Sequence, residues 1–134
     1  MTAMGGVTAR IECDVLQADG GTRTASITGA WVALADAFDA WVAEGRMESS
    51  PIRTPVAAVS VGVHDGVALL DLDYPEDVAV DVDANIVMTG GGDLIEVQGT
   101  AEGNPFSRAL LDEMLDYAAS GIATLVAKQK ESRA

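Results

Sequence analysis

The run Val56 to Val63 is strongly β-forming, His64-Asp65-Gly66 supplies a turn, and Val67 to Tyr74 returns as a second strand. A hairpin of this kind obliges its two strands to pair antiparallel, so everything else in the chain must be arranged around a sheet. A second hairpin follows: residues 84–89 lead into Gly90-Gly91-Gly92-Asp93, and residues 94–100 return. The triple glycine lacks the Lys and Ser/Thr that follow the glycines of a P-loop, and strands flank it, so it reads as a flexible turn. His64 reads as a turn residue, because no second His exists to complete a metal site. On the return strands Asp71, Asp73, Glu96 and Gln98 share one parity, opposite Leu70, Leu72, Ile95 and Val97. One sheet face is therefore polar, lining a cleft or facing solvent.

Before the hairpins the periodicity changes once. Residues 8–17 nearly alternate, with Ile11, Cys13 and Val15 on one side, and predict a strand. Asp19-Gly20-Gly21 breaks that pattern. From Thr22 to about Glu44 the period is helical, with Ile27, Trp31, Leu34, Phe38 and Trp41 on one stripe, which makes the tryptophans core residues rather than a stacking surface. Gly45 stops the helix, and residues 46–55 form a loop that is the one internal boundary. After the hairpins, Ser107 is placed as an N-cap, with Phe106 and Leu111 as a hydrophobic staple. Leu110, Met114, Tyr117, Gly121 and Leu125, widened by Leu111, Leu115, Ala118 and Ile122, form a broad stripe suited to a sheet. Lys128 and Lys130 suit the negative end of the helix dipole. The expectation is one α/β (α+β) domain over 1–134: a strand-helix segment at 8–45, then two β-hairpins and a C-terminal helix at 56–130.

Charge narrows the function. The net charge of −13, with only eight Lys and Arg, repels polyanions over most of the surface, so an RNA contact must be local and aided by a cation. Cys13 is the single cysteine, which excludes an intrachain disulfide and suggests a reducing compartment; it reads as structural rather than nucleophilic. Met1–Val7 carries neither a basic nor an apolar signal region, and no apolar run reaches membrane-spanning length, so a cytoplasmic protein without a membrane association is expected.

Two constellations carry chemistry. Gly20 and Gly21 let the backbone approach a ligand at a helix start, while Thr22 and Thr24 add hydroxyls and Arg23 a forked cation. The group suits one phosphate or sulfate, or serves only as a helix cap. Asp77 and Asp83, six positions apart across a connection between hairpins, suit Mg²⁺ or Mn²⁺, or form a solvated acidic loop.

These elements occur together in ribonuclease PH. The segment Asp14 to Ala30, with Asp19-Gly20-Gly21-Thr22-Arg23-Thr24 at its centre, resembles that family's phosphate-binding stretch. Ala57 to Val63 is similar to the next strand, Asp71 to Asp77 and Val82 to Thr89 to the stretches carrying its two catalytic aspartates, and Glu96 to Gly103 to its closing hairpin strand. The resemblance covers about residues 8–130 and the later half of the family's chain, whose fold is related to the ribosomal S5 domain 2-like fold. It implies a phosphate-dependent 3′-5′ exoribonuclease trimming RNA 3′ ends, notably of tRNA precursors, and releasing nucleoside diphosphates. Gly21, Thr22 and Arg23 would hold inorganic phosphate, the co-substrate, and Asp77 and Asp83 would be catalytic and bind the divalent cation. The family's chain is nearly twice this length, and its earlier half supplies a further phosphate-binding arginine and the basic RNA-binding residues. Val78 to Val82 replaces a polar stretch. The strand at 8–17 would present an open edge, which implies a homodimer or larger ring. A non-catalytic assembly module that keeps an anion site is the other reading of the isolated half.

Overall fold

The computed structural model describes residues 8–134, so the expectation for Met1–Val7 lies outside the described residues. The elements run α1 (Thr22–Ala43), β1 (Val56–His64), β2 (Val67–Leu70), α2 (Tyr74–Ala79), β3 (Val82–Thr89), β4 (Leu94–Ala101) and α3 (Arg108–Ser132). The four strands form one antiparallel sheet in the order β2-β1-β3-β4. Both expected hairpins are present, and β3 crosses over to pair with β1 along its whole length, from Val56 opposite Thr89 to Val63 opposite Val82. The mixed α/β class and the order of hairpins and final helix agree with the expectation.

The core lies between the sheet and α3. Met114, Ala118, Ile122 and Val126 follow a four-residue spacing and bury against Ala57, Val59, Val61 and Val63 of β1 and Val82, Ala84, Ile86 and Met88 of β3. Ser107 caps α3 by accepting the Leu110 N–H at 3.2 Å, and Phe106 and Leu111 both pack on the core. The end of α1 is also as its sequence indicates. Gly45, at φ 70°, donates to the Val42 carbonyl, and Arg46 donates to that of Trp41, the two bonds of a Schellman motif.

Because β2 pairs only with Val61 to His64, the first half of β1 has a bare flank on that side. α1 and α3 seal it with side chains. Thr28 Oγ1 accepts the Ala58 N–H at 3.0 Å and donates to the Ala58 carbonyl at 3.2 Å, doing the work of a neighbouring strand. Gln129, which is buried, donates from Nε2 to the carbonyls of Val56 and Thr28, both at 2.9 Å. The Ala58 N–H and the carbonyls of Ala58 and Val56 are thereby satisfied without a fifth strand, while Gln129 Oε1 is buried with no partner among the described residues. The tryptophans depart from the expected core. Both are half-buried: Trp31 donates to the Thr54 carbonyl under the Arg133 guanidinium, and Trp41 lies under Arg46, so Ala35 and Phe38 form the buried part of the stripe.

Three further expectations are corrected. Residues 8–17 are not a strand; the whole stretch 8–19 is exposed, with Leu16 at 99%. A strand needs a partner ladder, and among the described residues none runs beside it. β2 stops at Leu70 rather than Tyr74, because Asp71 turns left-handed at φ 58°. Asp71 and Asp73 therefore do not belong to a polar sheet face. Asp73 instead caps α2 in a capping box with Glu76, where a simple loop was expected. No described helix is long and apolar enough to cross a membrane.

The flank seal is testable. Thr28→Val leaves the Ala58 N–H and carbonyl buried without partners and should cost about 1–3 kcal/mol in urea unfolding with an unchanged m-value. An unaltered midpoint would show that water takes over the role.

Candidate functional site

The glycine turn reaches the sheet because of one close approach. A Cβ on Gly20 would sit 2.0 Å from the Leu72 carbonyl oxygen, so only glycine fits there. Asp19 fixes the same contact from the other side, its Oδ1 accepting from Gly20 N and Tyr74 N, both at 2.9 Å. The turn is thus tied to the start of α2, which carries Asp77 in its first helical turn. The two backbone N–H groups hold the Asp19 carboxyl below the usual carboxylate range, Tyr74 contributing most. A depressed carboxyl stabilises the fold above its unfolded pKa, and that contribution is lost as pH falls through the folded value.

Gly21 follows at φ 68° and is the N-cap of α1, with no side chain capping the helix. The first N–H groups of α1 and the positive end of its dipole are left for a ligand. They open on a cavity of about 150 Å³ lined by Gly21, Thr22, Arg23, Ser60, Asp77, Asp83 and Asn85. Gly21, Thr22, Arg23, Asp77 and Asp83 therefore meet in one place, whereas Thr24, expected to add a hydroxyl there, is buried and donates to the Gly21 carbonyl at 2.8 Å. The structure adds Ser60 of β1 and Asn85 of β3, which are paired across the sheet. Ser60 is buried and its Oγ accepts the Leu72 N–H at 3.2 Å. Neither carries a sequence signal, since a Ser and an Asn inside apolar strands read equally well as spacers.

The two ends of the cavity differ in charge. At one end Arg23 Nη2 lies 2.8 and 3.0 Å from the two carboxylate oxygens of Glu96 on β4, an ion pair spanning 73 residues. The polar parity of β4 left Glu96 either lining a cleft or facing solvent, and did not tell which cation it meets. At the other end Asp83 is pushed up from the usual carboxylate range, first by burial, then by the charges of Asp77 and Glu102. Among the described residues no three His, Cys, Asp or Glu side chains gather as a complete ligand set. Two carboxylates and an Asn amide fit a hard cation such as Mg²⁺ or Mn²⁺, which draws its other ligands from water and phosphate oxygens. A cation there would offset both the burial and the neighbouring charges that raise the Asp83 pKa.

The sign of that shift gives a prediction. The folded state binds the Asp83 proton more tightly than the unfolded chain, so the ionised carboxylate destabilises the fold above its folded pKa. Asp83→Asn should raise the melting temperature at pH 7 by about 2 °C, with the gain starting to shrink as pH falls through the raised pKa and gone below the ordinary pKa of the unfolded chain. Mg²⁺ should raise the melting temperature of the wild type and leave that of Asp83→Asn nearly unchanged. Equal stabilisation of both proteins by Mg²⁺ would exclude a cation between the aspartates.

Comparison with known proteins gives a consistent picture. Residues 54–121 match the sequence model of the 3′ exoribonuclease family, domain 2. Among solved structures, the crystal structure of Rrp46 from rice (Oryza sativa) superposes with a TM-score of 0.68 at 18% identity, over 85% of this chain and 48% of that one. An archaeal exosome core superposes with a TM-score of 0.53 at 22% identity, over 60% of this chain and 32% of its own. The described chain thus spans about half the length of the first and a third of the second, and the likeness is one of fold. With the matched domain covering half of the sequence, the chain belongs to the ribonuclease PH-type 3′ exoribonuclease family and carries that family's domain 2.

Proposed function

We propose that the cavity is the phosphate and metal end of a phosphorolytic 3′-5′ exoribonuclease site. The observation that supports this best is the convergence of an uncapped helix N-terminus with Arg23, and of Asp77 with Asp83, on one small polar cavity. Inorganic phosphate, held by the Gly21, Thr22 and Arg23 group, is the nucleophile: one of its oxygens bonds to the phosphorus of the last phosphodiester. The bond from that phosphorus to the 3′ oxygen of the preceding nucleotide breaks, and that oxygen leaves as a hydroxyl, taking up the proton that the attacking hydrogen phosphate gives up. The products are a nucleoside diphosphate and an RNA one nucleotide shorter. Asp77 and Asp83 would hold a divalent cation, which would supply charge neutralisation at the transferring phosphoryl group. Arg23 and the α1 amides orient the anion, and Ser60 and Asn85 form a neutral floor that does not repel it. A tRNA precursor is the substrate by family resemblance, and the cytoplasm the compartment.

The acidic surface and the few cations favour a second reading for the chain by itself. With a net charge of −13 and Arg23 neutralised by Glu96, the described residues offer no broad track for an RNA backbone. Activity then depends on a partner subunit of the same fold, and without it the chain acts as an assembly module with an anion site. Exposed Ile11, Val15 and Leu16 beside α1, and Leu94, Ile95 and Val97 on the edge strand β4, are surfaces suited to a homodimer or ring.

Two measurements decide. Incubated with oligo-RNA, Mg²⁺ and phosphate at high protein concentration, the chain should release nucleoside diphosphates, with a rate at least about 100-fold lower in Asp83→Asn. Nucleoside monophosphates as sole products, or release independent of phosphate, would exclude phosphorolysis. Light scattering should give a particle of at least two chains, and Leu16→Asp together with Val97→Asp should shift it to a monomer. A monomeric wild type would rule out assembly through these surfaces.

A further inference from the structure

The reading of the cavity as a phosphate seat needs Arg23 at its rim, yet an arginine with four side-chain torsions and about half its surface exposed does not hold one place unaided. Glu96 answers this. Its two oxygens lie 2.8 and 3.0 Å from the same atom, Nη2, while Nη1 and Nε make no hydrogen bond among the described residues. A guanidinium carries five N–H groups, so the three on Nη1 and Nε are left for an anion, each as a single charge-assisted donor, since both forked edges of the group include Nη2.

The two partners also differ in stiffness. Glu96 stands on β4 opposite Val87, one alternate position from the pair Gln98 and Asn85, and Asn85 itself lines the cavity. Arg23 belongs to the first turn of α1, whose preceding turn is locked at Gly20 and Asp19. The ion pair therefore joins the rim of the cavity to the sheet that forms its floor. At 49% and 40% exposure it is too wet to contribute much to stability, and its effect is on the direction of the side chain.

We propose that Glu96 is the positioning residue of the anion site: by gripping Nη2 alone it aims the rest of the Arg23 guanidinium at the incoming phosphate. The proposal rests on the phosphate reading for its purpose and on the ion pair for its geometry, and the two are separable. Nitrogen-15 NMR of the free protein should show slow rotation about the Cζ–Nη2 bond of Arg23 in the wild type and in Glu96→Gln, and fast rotation in Glu96→Ala. Phosphate titration in the presence of Mg²⁺ should then give an affinity about tenfold weaker in Glu96→Ala, the order expected for one misplaced charge-assisted hydrogen bond. Glu96→Gln, which keeps an acceptor and sheds a negative charge, should bind at least as tightly as the wild type. Unchanged Arg23 dynamics in Glu96→Ala would overturn the proposal. So would tighter phosphate binding in both variants, which would make Glu96 a competitor for Arg23. If Arg23 is held and the wild type still binds no phosphate, the reading of the cavity fails while the positioning of Arg23 stands.

Discussion

The site depends on one close passage of backbone past backbone, Gly20 against the carbonyl of Leu72. It leaves no room for a Cβ, and Asp19 closes it by accepting the amides of Gly20 and Tyr74. Everything chemical in the molecule lies on one side or the other of that passage. On one side is the uncapped start of α1 with Thr22 and Arg23; on the other is α2 with Asp77. Were the turn displaced by the width of a methyl group, the first amides of α1 would move away from the carboxylates with which they share the cavity. The glycine is thus a requirement of assembly as much as of ligand approach.

The sheet contributes by being rigid where the site needs a floor. β1 is buried over Ala57 to Val63, and its bare flank is satisfied by Thr28 and Gln129 instead of another strand. That arrangement brings α1 alongside β1 and fixes the height of the helix start above Ser60. The same sheet sets Ser60, Asn85 and Gln98 side by side and puts Asp83 opposite Gly62, where no side chain crowds it from β1. Burial of Asp83 near Asp77 and Glu102 costs stability, and the raised pKa is its signature. Perturbation of that kind is common at functional sites.

Local signals were the most legible in the sequence. The two hairpins, the Gly45 stop and the Ser107 cap each depend on a few adjacent residues, and each is found where those residues put it. The helix α2 was missed although Asp73, Pro75 and Glu76 spell a helix start, because the strand-like run before it was carried to Tyr74 and what followed was read as a loop. Residues 8–17 alternate as a strand does, yet alternation specifies a face and cannot supply a partner ladder. Gln129 was hidden because a polar residue among lysines at a helix end looks solvated; only the bare flank of β1 explains its burial. Trp31 and Trp41 fell on the apolar stripe, but stripe width does not tell how far a helix overhangs its sheet.

What the sequence determined by itself was the inventory: a glycine turn with a cation, a pair of aspartates, two hairpins, and a helix with a sheet-facing stripe. It also determined the family, because several spaced motifs occur in order and domain 2 is matched over residues 54–121. The tertiary structure alone decided that Gly21, Thr22, Arg23, Asp77 and Asp83 share a cavity, that Ser60 and Asn85 join them, and that Arg23 meets Glu96. Those groups lie far apart along the chain, and periodicity carries no information about distances between elements. Which of them meet is set by a steric gap at Gly20 and by hydrogen bonds across the β1 flank, both of which exist only once the elements have packed.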